Sequence, residues 1–173
     1  GSQGGTRVAG LPVFALLVGL AFLIQWLAFI PAYWRQTEKF FDLTGSLTYI
    51  TLITLALFLG AGVDGRAILV WALVVIWAAR LGIFLFGRIK TAGKDDRFEE
   101  IKPSFIRFLN VWTIQGLWVT FTLIAALVAI TTANRTELDL FALVGLLVWI
   151  LGFSVEVVAD YQKSRFNADP NNK

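Results

Sequence analysis

Apolar residues in this chain fall into five long blocks, at positions 11–30, 43–63, 67–86, 105–131 and 138–159, separated by shorter polar or charged stretches. A helix needs about 20 predominantly apolar residues to cross the hydrocarbon core of a bilayer, and every block is long enough. The pattern predicts an all-α fold, a polytopic transmembrane helix bundle of five spans forming a single membrane domain over residues 1–173. Asp64, Gly65 and Arg66 form a tight turn between the second and third spans, which makes those helices antiparallel neighbours. Residues 133–137 join the fourth and fifth spans almost as tightly. Only the connection at 88–104 is long; it is densely charged and punctuated by Gly93 and Pro103, and long loops on a rigid scaffold tend to carry function.

Polar positions inside the blocks change the picture from a plain apolar bundle to one with an internal chemistry. Gln25 lies deep in the first span. Asp42, Ser46 and Tyr49 form a stripe at helical spacing that opens the second, with Thr44, Thr48 and Thr51 beside it. Gln25 and the Thr row are expected to hydrogen-bond between helices, as polar side chains in membrane bundles do. Asp42 is expected to cap the second helix. Arg80 lies inside the third span, with Phe84 and Arg88 continuing its stripe, and either snorkels to the interface or serves a buried site. Trp112, Gln115, Val119 and Thr122 share a face of the fourth span, where Gly116 permits close backbone approach; Gln115 is either packing glue or a ligand contact.

The fifth block turns ionic at its end. Glu156 and Asp160 stand one helical turn apart with Lys163 on the same face. Carboxylates ending an apolar helix are costly unless they meet protein, water or a cation. They are read either as partners of Arg80 or Arg88 across the bundle or as a functional surface.

Composition agrees with a membrane protein and narrows the chemistry. Hydrophobic residues make up 57% and charged residues 16% of the chain, with a mean hydropathy of +0.72, against about 25% charged in an average soluble domain. With alternating spans, eleven basic residues fall on one side (Arg35, Lys39, Arg88, Lys90, Lys94, Arg97, Lys102, Arg107, Lys163, Arg165 and Lys173) and three on the other (Arg7, Arg66 and Arg135). The positive-inside rule then puts the N-terminus outside or in a lumen and the C-terminus in the cytoplasm. The net charge of +3 is a sidedness bias and not a nucleic-acid surface. No cysteine is present, which excludes disulfides and thiolate chemistry. No histidine is present either, which removes the commonest metal ligand, and no metal site is expected. The Asn134-Arg135-Thr136 triplet has acceptor spacing for N-glycosylation, close to the membrane.

Four strings, in order, carry a resemblance: Arg80-Leu-Gly-Ile-Phe-Leu-Phe-Gly-Arg88, then Gly93-Lys-Asp-Asp-Arg-Phe98, then Gln115-Gly116, and last the run from Glu156 to Phe166 continuing into Asn167 to Lys173. Over roughly residues 35–173 the chain resembles the poorly characterised microbial branch of the steroid 5α-reductase-like integral membrane proteins. The resemblance implies a membrane bundle with a cytoplasmic cofactor pocket, reducing an activated carbon–carbon double bond of a sterol-like or enoyl lipid with NADPH. It places Glu156 and Asp160 at the nucleotide site, with Lys163 and Arg165 toward its phosphates, and Arg80, Arg88, Asp96 and Arg97 as structural or pocket positions. The family's later segment, rich in Arg, His, Asn and Tyr, has no counterpart here. The chain therefore resembles the front portion of such a protein and is expected to be inactive alone.

Three functions compete. The first is an NAD(P)H-dependent lipid reductase in which Tyr49 or Gln115 is the catalytic proton donor or polariser, because a polar group facing a dry cavity acts strongly on developing charge. The second is an S-adenosylmethionine-dependent methyltransferase of related fold, since Glu156 and Asp160 suit a sulfonium better than a polyanion. The third is a non-catalytic assembly subunit that binds a membrane protein partner. All three place the chain in a bacterial inner membrane or an endoplasmic-reticulum-like membrane.

Overall fold

The computed structural model describes residues 5–92, 95–133 and 137–169, without the side chains of residues 91, 92 and 96. Gly93, Lys94, the Asn134-Arg135-Thr136 triplet and the side chain of Asp96 lie outside the described residues. Two compact units divide the chain, Gly1–Arg135 and Thr136–Lys173. The first holds helices α1 (Val13–Trp34), α2 (Phe41–Leu59), α3 (Gly65–Ala92) and α4 (Phe105–Thr131); the second is the single helix α5 (Leu140–Ala168). All five helices are long and apolar enough to span a membrane. In lipid a helix is favoured because it satisfies its own backbone polar groups.

Helix boundaries follow short-range chemistry. Asp64 accepts from the amide of Ala67 at 2.7 Å and caps α3, so the predicted Asp64-Gly65-Arg66 turn is only half a turn: Gly65 and Arg66 already belong to the helix. Ser104 caps α4 after Pro103, and Asp139 caps α5 through the amide of Ala142. The expectation that Asp42 caps α2 is overturned. Phe40 occupies the cap position, and Asp42 lies inside the first turn with its carboxylate directed to Arg88.

In the first unit, α2 packs against α1, α3 and α4, and α1 packs against α4, whereas α3 and α4 meet only sparsely. Two clusters fill it. Leu17, Leu52, Ile53, Val119 and Leu123 belong to one; Phe29, Phe98, Phe108 and Trp112 belong to the other, with Phe41 against it. Close approach needs small residues. A Cβ on Gly82 would lie 2.8 Å from the Cβ of Ser46 across the α2–α3 contact. Gln25, fully buried, donates to Thr48 Oγ1 at 2.8 Å and ties α1 to α2 as expected. Thr44 instead bonds its own helix at Phe40, and Thr51 is exposed. Tryptophan indoles add two further ties, Trp26 to Thr113 and Trp71 to Thr54, each 3.0 Å.

The two ends of this unit are closed differently. At one, the segments 35–40 and 95–104 are pinned together by Glu38, whose carboxylate accepts from the Asp95 amide and from Lys102, each at 2.9 Å. At the other, a small hairpin precedes α1: β1 (Arg7–Val8) pairs antiparallel with β2 (Leu11–Pro12), turning through Ala9 and Gly10 at positive φ. Thr6 then hydrogen-bonds Thr131 at the end of α4. The predicted first span included Leu11 and Pro12, which the hairpin takes instead.

Candidate functional site

The sparse α3–α4 contact leaves a cavity of about 400 Å³ beneath α2, within the size range of ligand pockets. Asp42, Gly45, Ser46 and Tyr49 line it from α2, Trp77, Leu81 and Leu85 from α3, and Ile114, Gln115, Trp118 and Val119 from α4. The predicted stripe Asp42–Ser46–Tyr49 thus becomes one wall, because residues four and three apart share a helix face. Tyr49 and Gln115, the two candidate catalytic side chains, line the same cavity.

Tyr49 is buried and meets Trp77 edge to face, with ring centroids 5.0 Å apart. On the facing helix α4, the Thr122 hydroxyl donates to the Trp118 carbonyl of its own helix at 2.9 Å. Gln115 donates from Nε2 to the Phe41 carbonyl at 2.9 Å. That reach requires Gly45, where a Cβ would stand 2.3 Å from the Gln115 amide nitrogen. The Gln115 carbonyl oxygen, the Gln25 carbonyl oxygen and the Trp112 indole nitrogen are buried with no hydrogen-bond partner among the described residues.

The polar end of the cavity is ionic. Asp42 Oδ2 and Arg88 Nη2 are 3.7 Å apart, both partly exposed. Beyond them, Arg97 forms a two-pronged ion pair with Asp95, from Nε at 2.9 and 3.1 Å and from Nη2. The Arg97 hydrogen bond holds the Asp95 carboxyl below its usual range, and Asp95 in turn raises the Arg97 guanidinium. Burial alone would push the Glu38 carboxyl up, but Lys102 and the Asp95 amide outweigh it and hold it down. Lys102 is raised: burial opposes its charge, and Glu99 and Glu38 more than compensate. Phe98 inserts between Phe41 and Phe108. The Asp95 to Phe98 portion of the charged string is therefore an anchored turn, with Arg97 at the surface.

Arg80 extends along α3 with its guanidinium over the Phe84 ring at 5.7 Å, on the side toward Arg88. On α5, Glu156 and Asp160 share a face as expected, and both are only partly exposed. The helix runs on past the apolar block to Ala168, so the acids are interior helical positions followed by two further turns. Ser164 bonds back to the Asp160 carbonyl, Arg165 lies over Tyr161 at 5.8 Å, and Lys163 is exposed.

Sequence reasoning missed Glu38, Asp95, Lys102 and Trp77. Glu38 stands in the short polar connection between the first two spans, and nothing local marks its partners, which lie 57 and 64 residues away. Trp77 was masked by the apolar run around it.

A family model described as "Protein of unknown function (DUF1295)" covers residues 28–173. The chain belongs to the DUF1295 family. No curated protein and no solved structure matches it. The DUF1295 match includes every residue of the cavity wall and of the α5 acidic face, and leaves out the N-terminal hairpin.

Proposed function

We propose that this DUF1295 chain forms the substrate-side helices of a steroid 5α-reductase-like enzyme, an NAD(P)H-dependent reductase of a carbon–carbon double bond in a sterol-like or other membrane lipid. The observation that carries the reading is the convergence of Tyr49 and Gln115 in one apolar cavity among the spanning helices. Such a cavity suits a ligand that arrives from the bilayer, and a small number of fixed polar groups in it orients that ligand.

In this reading the ligand's hydrocarbon body packs on Trp77, Leu81 and Leu85. Tyr49 faces the activated double bond. As hydride adds to one carbon, negative charge develops on the activating group. Tyr49 or the second N–H of Gln115 stabilises that charge, and the proton that completes the other carbon comes from Tyr49 or from solvent through it. The reduced nicotinamide, when bound, supplies the hydride. On α5 the residues suit the periphery of a dinucleotide: Lys163 is exposed for phosphate, and Asp160 and Glu156 offer acceptors to ribose hydroxyls. The basic end that carries Arg88, Arg97 and Lys102 is assigned to the cytoplasm by the positive-inside rule.

Tyr49→Phe in the full-length protein should lower turnover about 100-fold, the usual size of a lost general acid, with little change in KM. Unchanged turnover in steady-state assays with NADPH would remove Tyr49 from the chemistry. Asp160→Ala should abolish nucleotide binding while spans and thermal stability persist; unaltered affinity by calorimetry would take Asp160 out of the cofactor site.

A methyltransferase is the second reading. Two acids one turn apart on α5 fit a cationic sulfonium better than a phosphate chain. Competition between NADPH and S-adenosylmethionine for the full-length protein separates the two. If neither binds, the chain is a non-catalytic assembly subunit.

A further inference from the structure

Reduction of a double bond near Tyr49 does not use the ionic end of the cavity. Asp42 and Arg88 stand there with their nearest charged atoms 3.7 Å apart. That separation is attractive but longer than a hydrogen bond, which for nitrogen and oxygen is 2.7–3.2 Å. The pair therefore leaves a carboxylate lone pair and a guanidinium N–H able to engage a third group placed between them. Both side chains are partly exposed, and Asp42 belongs to the cavity wall. The rest of the wall is almost entirely apolar, from Phe41 and Leu85 near this end to Trp77 and Val119 deeper in.

Head-group chemistry can be sorted against this pair. A carboxylate or phosphate is attracted by Arg88 and repelled by Asp42. An ammonium group has the opposite conflict. A ketone accepts from Arg88 but gives Asp42 no donor, so it takes half of the available interaction while still partly desolvating the carboxylate. A hydroxyl satisfies both at once, donating to Asp42 and accepting from Arg88. It carries no net charge, which leaves the ion pair balanced.

We propose that the cavity selects an uncharged lipid alcohol, seated with its hydroxyl between Asp42 and Arg88 and its hydrocarbon body running past Gln115 toward Tyr49. The inference rests on the cavity being a lipid site and adds the head group and the direction of seating. It makes Asp42 and Arg88 specificity residues that act at the opposite end of the ligand from the reacting bond.

The test uses four probes with one hydrocarbon chain length: 1-dodecanol, 2-dodecanone, dodecylamine and dodecanoate. Each is titrated at neutral pH into full-length protein in lipid nanodiscs, with empty nanodiscs as the reference. Dodecanol should bind about tenfold more tightly than the ketone, the worth of one hydrogen bond to a charged group, and more tightly than either ion. Asp42→Asn, which offers a donor and an acceptor, should bring the ketone level with the alcohol. Arg88→Met should weaken both and make dodecylamine the tightest of the four, since it removes the nearest repelling cation and leaves the acid, while Arg97 stays paired with Asp95. Saturable binding without an alcohol preference, or variants that shift all four probes equally, overturns the head-group inference and leaves the lipid cavity standing. No saturable binding of any probe overturns the lipid cavity as well.

Discussion

At the residue scale, glycine at position 45 decides whether Gln115 can cross to α2. Its missing side chain is the space through which the amide reaches the Phe41 carbonyl. Gly45→Ala should leave the fold intact and cost about 1 kcal/mol, the net worth of one hydrogen bond, because the Gln115 amide can swing aside. The same change should reduce ligand affinity and activity more than it reduces stability. Equal losses, measured by thermal melting beside activity, would show Gln115 to be packing alone. Glu38 is a second decisive residue. With only 4% of its surface exposed, it ties its own segment, 35–40, to 95–104 through Lys102 and the Asp95 amide. Its carboxyl is held below the ordinary value of 4.5, so the folded state binds this proton less readily than the unfolded chain does. That contribution is complete above the unfolded pKa and is lost as pH falls through the folded one. Lys102, raised above its ordinary 10.5, contributes below that pH and is lost as pH rises past the folded value. The clamp should therefore persist across the neutral range and open in acid, seen as faster hydrogen exchange at the Asp95 amide. Glu38→Gln should cost about 1–3 kcal/mol, as expected when a buried charged hydrogen bond loses its charge. Glu38→Ala, which removes the acceptor itself, should expose the Asp95 amide to exchange, and a fully protected amide in that variant would contradict the assignment.

At the scale of elements, the helices were legible because lipid makes hydropathy nearly sufficient: a run of about 20 apolar residues has few alternatives. The stripe Asp42–Ser46–Tyr49 was legible for a related reason, since helical spacing places those residues on one face whatever the partner. What could not be read was which partner that face would meet. The carboxylate of Asp42 went to Arg88 on α3 because α2 and α3 approach closely over Gly82, a contact 40 residues away in sequence. Likewise α5 runs past the apolar block that ends at residue 159 as far as Ala168, through good helix-forming residues such as Lys163 and Arg165. Bulk at Gly82 should separate these helices: Gly82→Leu is predicted to lower the melting temperature sharply and to change cavity affinity, whereas Gly19→Leu, with open space around it, should do neither. The alternation of spans is tested by cysteine labelling at Val63 and Glu100, both exposed and beyond helix ends. Val63 is preferable to its neighbour Gly62, whose φ of +122° disfavours a side chain. Labels should enter from opposite sides of the membrane; entry of both from one side would overturn the alternation.

At the scale of the whole molecule, the chemistry proposed is divided between two units, a cavity within residues 1–135 and an acidic helical face within 136–173. The DUF1295 match spans both. The candidate residues on α5 were easy to select from sequence, because charge stands out against an apolar run. Those of the clamp were not, because charge in a charged loop does not stand out. The hairpin at the N-terminal end was the least legible element of all, being only two residues to a strand. Yet it has an effect on how the protein comes into being. Thr6 is made 125 residues before Thr131, whose carbonyl it binds. A nascent chain must therefore deliver α1 through α4 into the membrane before this bond can form. Until then the start of α1 waits without its mate, and the segment before α1 is tied down only once α4 is in place.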